Sequence, residues 1–94
     1  MLKIIDEKVY NEENQKIGWI EGNHIKDAGN NVIGFAGTEH VYDRHNNKIA
    51  YIENGKLNFE NGRPGIPLEQ IQEKVHGDGY AIPLKCAIHV LFED

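Results

Sequence analysis

The strongest constraint on this chain is a motif that returns every sixteen residues, because a repeated unit fixes an architecture before any single propensity is weighed. Its copies begin Lys8-Val9-Tyr10-Asn11, His24-Ile25-Lys26-Asp27, His40-Val41-Tyr42-Asp43 and Lys56-Leu57-Asn58-Phe59. A second part of the unit returns at the same interval, as Ile17-Gly18-Trp19-Ile20, Ile33-Gly34-Phe35-Ala36 and Ile49-Ala50-Tyr51-Ile52, and degenerates to Gly65-Ile66-Pro67-Leu68. Each unit thus holds two β-type runs around a polar stretch, the sequence form of a hairpin. The turns are Glu12-Glu13-Asn14-Gln15, Ala28-Gly29-Asn30-Asn31 and Arg44-His45-Asn46-Asn47, rich in Asn and Gly because those residues tolerate left-handed backbone. Setting Asn11 opposite Lys16, Asp27 opposite Val32 and Asp43 opposite Lys48 gives the same four-residue loop each time. Glu21-Gly22-Asn23, Gly37-Thr38-Glu39 and Glu53-Asn54-Gly55 join one unit to the next.

Alternation assigns faces. Ile17 and Trp19 fall on one side of their strand, Gly18 and Ile20 on the other, and the later copies follow. The small residues Gly18, Gly34 and Ala50 imply close backbone approach around an axis. Trp19, Phe35 and Tyr51 are expected to form a packed layer of core rings. A lone hairpin cannot bury its apolar face, so the hairpins must pack together. The reading is one mainly β domain of four repeated hairpins with approximate fourfold pseudosymmetry, its units at about 8–23, 24–39, 40–55 and 56–68, followed by an extension over 69–94. Residues 2–6 are read as an extra strand feeding the first hairpin. Beyond the break at Asn61-Gly62-Arg63-Pro64-Gly65, the spacing of Leu68, Ile71 and Val75 predicts a short helix over about 67–76. The C-terminal run Cys86-Ala87-Ile88-His89-Val90-Leu91-Phe92 fits a buried strand or a helix, with strand preferred.

The repeated β-branched residue, the Asp or Asn before a polar turn, and the Ile-Gly-aromatic or Ile-Ala-aromatic segment together resemble the small bacterial fourfold β-flower domains, over residues 8–68. That resemblance implies four hairpin petals and a bacterial source, and it carries over no activity, cofactor or catalytic residue.

Composition narrows the chemistry further. Ten Lys and Arg against fifteen Asp and Glu give a formal charge of −5, and no clustering of the basic residues on one face is expected, so neither nucleic acid nor an anionic membrane is an expected partner. No apolar run approaches a membrane span or a signal segment, and a single cysteine fits a reducing compartment, so a cytoplasmic protein is expected. The chain contains no serine, which removes Ser-His-Asp catalysis. One conceivable metal site joins His24 and His40, pseudosymmetric on one rim, with Asp27 and Asp43 three positions on. Against it, aspartates that open turns ordinarily bind their own backbone, and Lys8 and Lys56 occupy the equivalent rim positions. Cys86 and His89 are three apart, yet a cysteine in so apolar a run is ordinarily structural. Tyr10 and Tyr42 fall on the strand face opposite Val9 and Val41 and offer a contact surface. No catalytic set converges and no cofactor is called for. The residues favour a non-enzymatic β-repeat module acting through protein contacts, with a neighbouring protein or with itself as a homodimer. The alternative is a metal- or small-ligand-binding domain, with weak hydrolase activity in the extreme, centred on His24 and His40.

Overall fold

The computed structural model describes residues 1–93 and realises the repeat as one ten-stranded sheet. The strands are β1 (Leu2–Ile5), β2 (Lys8–Tyr10), β3 (Lys16–Glu21), β4 (His24–Asp27), β5 (Val32–Ala36), β6 (His40–Asp43), β7 (Lys48–Glu53), β8 (Lys56–Phe59), β9 (Ile66–Pro67) and β10 (Val75–His76), with helices α1 (Leu68–Lys74) and α2 (Ile82–Glu93). From β1 to β9 each strand lies antiparallel to its predecessor, and β10 returns to pair parallel with β1. The mainly β reading with repeated hairpins describes this sheet.

The repeat number is five, not four. Leu2-Lys3-Ile4-Ile5 stands one period before Gly18-Trp19-Ile20-Glu21, and it pairs in the same way. Ile4 faces Val9 and Ile5 faces Lys8, just as Ile20 faces Ile25 and Glu21 faces His24, and as Ile52 faces Leu57 and Glu53 faces Lys56. Strand β1 is therefore the first half of a unit, disguised because Lys3 stands where Trp19, Phe35 and Tyr51 stand later. Strand β9 opens the fifth unit, in which α1 and β10 replace the second strand.

Laid flat, ten strands would span about 43 Å at the usual spacing, yet the longest dimension of the domain is 31 Å. The sheet curls. Its terminal strands β9 and β10 are separated only by the seven residues of α1, a helix about 10 Å long, which bridges the gap between them. Pairing with β1 draws Val75 and His76 out of helical geometry, so α1 ends before the predicted boundary.

Helix α2 fills the hollow, which corrects the preference for a C-terminal strand. Residues 86–90 are all buried, so no polar face breaks the run and periodicity cannot identify it. Cys86, Ala87 and Val90 join a core cluster with Val41, Ala50, Leu57, Phe59 and Ile71, while Ile88 joins Leu2, Ile4, Val9, Ile20, Ile25 and Val75. This helix also explains the small residues. A Cβ on Gly18 would lie 2.2 Å from the Lys26 carbonyl oxygen and 2.5 Å from the Phe92 ring, and one on Gly34 would lie 2.5 Å from the Tyr42 carbonyl oxygen and 2.6 Å from Leu91.

The hairpin loops differ from the predicted four-residue form. Tyr10 faces Lys16, Lys26 faces Val32 and Tyr42 faces Lys48, so Ile17, Ile33 and Ile49 are each the extra residue of a β-bulge. The bulge turns these isoleucines onto the core, away from the face that carries Trp19. Each loop ends in a left-handed asparagine, with φ of 61° at Asn14 and 68° at Asn30 and Asn46. The side chain that opens each loop binds it. Asn11 Oδ1 accepts from the amides of Glu13 and Gln15, Asp27 Oδ1 from those of Gly29 and Asn31, and Asp43 Oδ1 from those of His45 and Asn47, all within 3.0 Å.

The amide of Asn31 foremost holds the Asp27 carboxyl below its usual range, and the amide of Asn47 does the same for Asp43. Both groups have lower pKa values folded than unfolded. Their contribution is therefore complete above the ordinary carboxyl range, near pH 4, and is lost as pH falls through the lower folded values. Asn11 does the same work without titrating. Asp27→Asn combined with Asp43→Asn should keep the turns and flatten the acid limb of stability, as followed by urea midpoints across acidic pH. Parallel loss of stability in variant and wild type would place the acid sensitivity elsewhere.

Candidate functional site

The side of the sheet turned away from α2 carries the recurrent aromatics. Trp19, Phe35 and Tyr51 were expected in the core, but they belong to neither core cluster and are half-buried on this outer face. The inner positions next to them are already filled by Gly18, Gly34 and Ala50 beneath α2. Register gives each ring two cross-strand neighbours. Trp19 lies between Lys8 and Lys26, Phe35 between His24 and Tyr42, and Tyr51 between His40 and Asn58.

These neighbours touch. The Lys16 ammonium sits 4.8 Å above the centre of the Trp19 ring, a cation–π contact. His24 meets Phe35 edge-on with ring centres 5.0 Å apart, and His40 lies between Tyr42 and Tyr51 at 6.1 and 6.4 Å. Tyr10, paired with Lys3 and Lys16, and Tyr42, paired with Phe35 and Lys48, are half-buried on the same face, while Val9 and Val41 behind them are fully buried. The two tyrosines proposed as a contact surface thus stand in one belt with the rings once assigned to the core.

The four metal candidates fare differently. His24 and Asp27 begin and end β4, about 10 Å apart along an extended strand, and His40 and Asp43 do the same on β6. Both carboxylates are engaged with loop amides and both imidazoles with neighbouring rings. Among the described residues, no group of three or more His, Cys, Asp and Glu side chains is placed to hold an ion. Cys86 lies in the core beneath the sheet, where burial pushes its thiol up to about 12, so at neutral pH it carries no reactive thiolate. Labelling of Cys86 by a maleimide should be negligible in the folded protein and complete after denaturation. Rapid labelling of folded protein would show that α2 opens freely.

A basic cluster is the feature that linear reading missed. Lys3, Lys8, Lys16, Lys26, Lys48 and Lys56 are scattered along the sequence, but all occupy outward register positions, the first five opposite an aromatic and Lys56 opposite Glu53 and Pro67. The signal was present in the repeat, since Lys8 and Lys56 share one unit position and Lys16 and Lys48 share another. Acids border the cluster: Asp6, Glu7 and Glu21 line the groove beside Trp19 and Glu53 reaches the margin, while Glu39 sits at a hairpin tip and Glu12, Glu13, Asp27 and Asp43 lie in or beside the loops. Glu21 accepts a hydrogen bond from Lys26 Nζ at 2.8 Å, which holds its carboxyl below the usual range. Between the tips of β1–β2 and β3–β4 lies a groove of about 400 Å³, lined by Trp19, Lys8, Lys16, Glu21, Asp6 and Glu7 among others.

A family model described as 5-fold beta-flower protein matches residues 1–73. No curated protein and no solved structure matches the chain. No helix among the described residues is long and apolar enough to cross a membrane.

Proposed function

The chain belongs to the 5-fold beta-flower family, and on that scaffold we propose that it is a non-enzymatic β-repeat module that acts through protein contacts, with a neighbouring protein or with a second copy as a homodimer. One observation carries this reading. The hollow of the flower is filled by the chain's own α2, while Tyr10, Trp19, Phe35, Tyr42 and Tyr51 lie half-buried together in a belt on the outer face. Half-buried aromatics gathered on one face are the material of interaction hot spots. The competing reading, a metal- or small-ligand-binding domain centred on His24 and His40, draws no support from their surroundings, where each ring meets another ring and, among the described residues, no group of three ligand side chains is placed to hold an ion.

The test compares wild type with the Tyr10→Ala/Tyr42→Ala variant. Both are immobilised in extract of the source cells, and each is examined by sedimentation for self-association. Loss of captured proteins, or of self-association, in a variant with an intact unfolding transition supports the proposal. The same captured partners and the same assembly state in both forms would remove this surface.

A further inference from the structure

The chain contains two Asn-Gly pairs, Asn54-Gly55 and Asn61-Gly62, and the fold holds them differently. We propose that Asn61 is a site of spontaneous deamidation in the folded protein, and that its hairpin protects Asn54 from the same reaction. This chemistry is independent of the contact surface described above.

The reaction needs only water. The Gly62 nitrogen loses its proton to solvent base and attacks the Asn61 side-chain carbonyl carbon. The amide C–N bond of that side chain breaks and ammonia leaves, which closes a succinimide ring. Water then opens the ring at either carbonyl, to aspartate or to isoaspartate, in which the main chain runs through the former side chain. Glycine in second place favours closure, because it has no Cβ to crowd the attack and the widest choice of backbone angles.

Both pairs are exposed, and a Cβ built on Gly55 or Gly62 would meet nothing within 4 Å, so water reaches both. They differ in how far the backbone can move, and ring closure requires the glycine nitrogen to swing up to the side-chain carbon. Asn54 and Gly55 are the two left-handed residues of a tight turn, with φ of 56° and 73°, closed by the pairing of Glu53 with Lys56. The Gly55 carbonyl accepts from the Leu68 amide at 3.0 Å, and Asn58 Nδ2 donates to the Glu53 carbonyl at 3.2 Å. Movement at Asn54 therefore breaks the end of the β7–β8 ladder. Asn61 lies beyond β8, where residues 61–65 belong to no strand or helix. The Gly62 amide donates to the Phe59 carbonyl at 3.2 Å, the long end of the range for such a bond, and at the surface it opens readily. Asn61 Oδ1 accepts from the Arg63 amide at 3.0 Å, a donor that draws electron density from the carbonyl carbon and stabilises the oxyanion formed on attack. Aspartate there adds a negative charge to a formal −5. Isoaspartate lengthens the main chain by a carbon just ahead of Ile66, which pairs with Leu57.

The folded full chain is held at mildly alkaline pH and sampled over weeks, beside the same chain in guanidinium chloride. Trypsin cleaves after Lys56, between the two sites, so their peptides are weighed separately, and fragment spectra assign any gain to Asn61 rather than Asn58. In the folded protein the peptide with Asn61 should gain one dalton and split into two chromatographic forms, several-fold faster than the peptide with Asn54. In guanidinium the two rates should converge. Asn61→Gln needs a larger ring that forms far more slowly, so it should remove most of the acidic form that accumulates on isoelectric focusing and leave the unfolding midpoint unchanged. The proposal is overturned if folded Asn54 converts as fast as Asn61, if the folded chain converts neither while the unfolded chain converts both, or if Asn61→Gln accumulates the acidic form at the wild-type rate.

Discussion

A chain that ends at Asp78 should lose its cooperative unfolding transition and expose Trp19 and the apolar hollow to solvent. Helix α2 contributes Cys86, Ala87, Ile88 and Val90 to the buried core and links the two clusters on either side of it. Truncating a single buried isoleucine to alanine costs about 2 to 5 kcal/mol, and a small domain has only about 5 to 15 kcal/mol in total. Removing the entire helix exceeds that reserve. Ile88→Ala alone should lower stability by about 2 to 5 kcal/mol, since Ile88 is fully buried. The family match ends at residue 73, so the truncated chain is close to the segment that the family model recognises. Urea unfolding followed by circular dichroism decides the matter. A truncated chain with a sharp transition near the wild-type midpoint would make α2 an accessory and the hollow self-supporting.

Gly18→Ala should be the most damaging single-methyl addition in the sheet, followed by Gly34→Ala. The new carbon at residue 18 would meet the Lys26 carbonyl oxygen and the Phe92 ring well inside contact distance, and backbone on a paired strand cannot swing aside as a side-chain tip can. Overpacking of this kind costs about 1 to 3 kcal/mol or more, which for a domain of this size lowers Tm by about 4 to 8 °C per kcal/mol. Combining Gly18→Ala with Phe92→Ala should recover only part of the loss, because the carbonyl contact remains. Thermal unfolding of the two variants and their combination measures this. A change in Tm of a degree or less for Gly18→Ala would mean that β3 is not held as closely to β4 and α2 as described.

The sixteen-residue spacing, the hairpins, the turn asparagines and the helix after Pro67 were all legible because each is a local signal repeated in register. What escaped had a physical mask. Lys3 in place of an aromatic hid the first unit. The bulges at Ile17, Ile33 and Ile49 break strict alternation, so counting by twos grouped those isoleucines with the rings on one side, whereas they lie on opposite sides of the sheet. The rings were assigned to the core because no local rule announces that a C-terminal helix will take that place, and α2 itself gave no periodicity because residues 86–90 are buried throughout. The basic face was invisible to net charge, which averages over surfaces that the fold keeps apart. The turn-binding roles of Asp27 and Asp43 were readable, since an Asp or Asn opening a tight loop is a local hydrogen-bonding device.

The pairing of β1 with β10 bears on how the domain is made. Every other strand pair joins neighbours in sequence, so successive hairpins can assemble as the chain lengthens, whereas Leu2 must wait for Val75. Through that interval the outer edge of β1 presents unpaired amides and carbonyls, a template onto which another growing chain could add a strand. The two residues of β10 are few, but they close this edge. They act as a latch against premature exchange between molecules, and the short helix before them sets when the latch can fall.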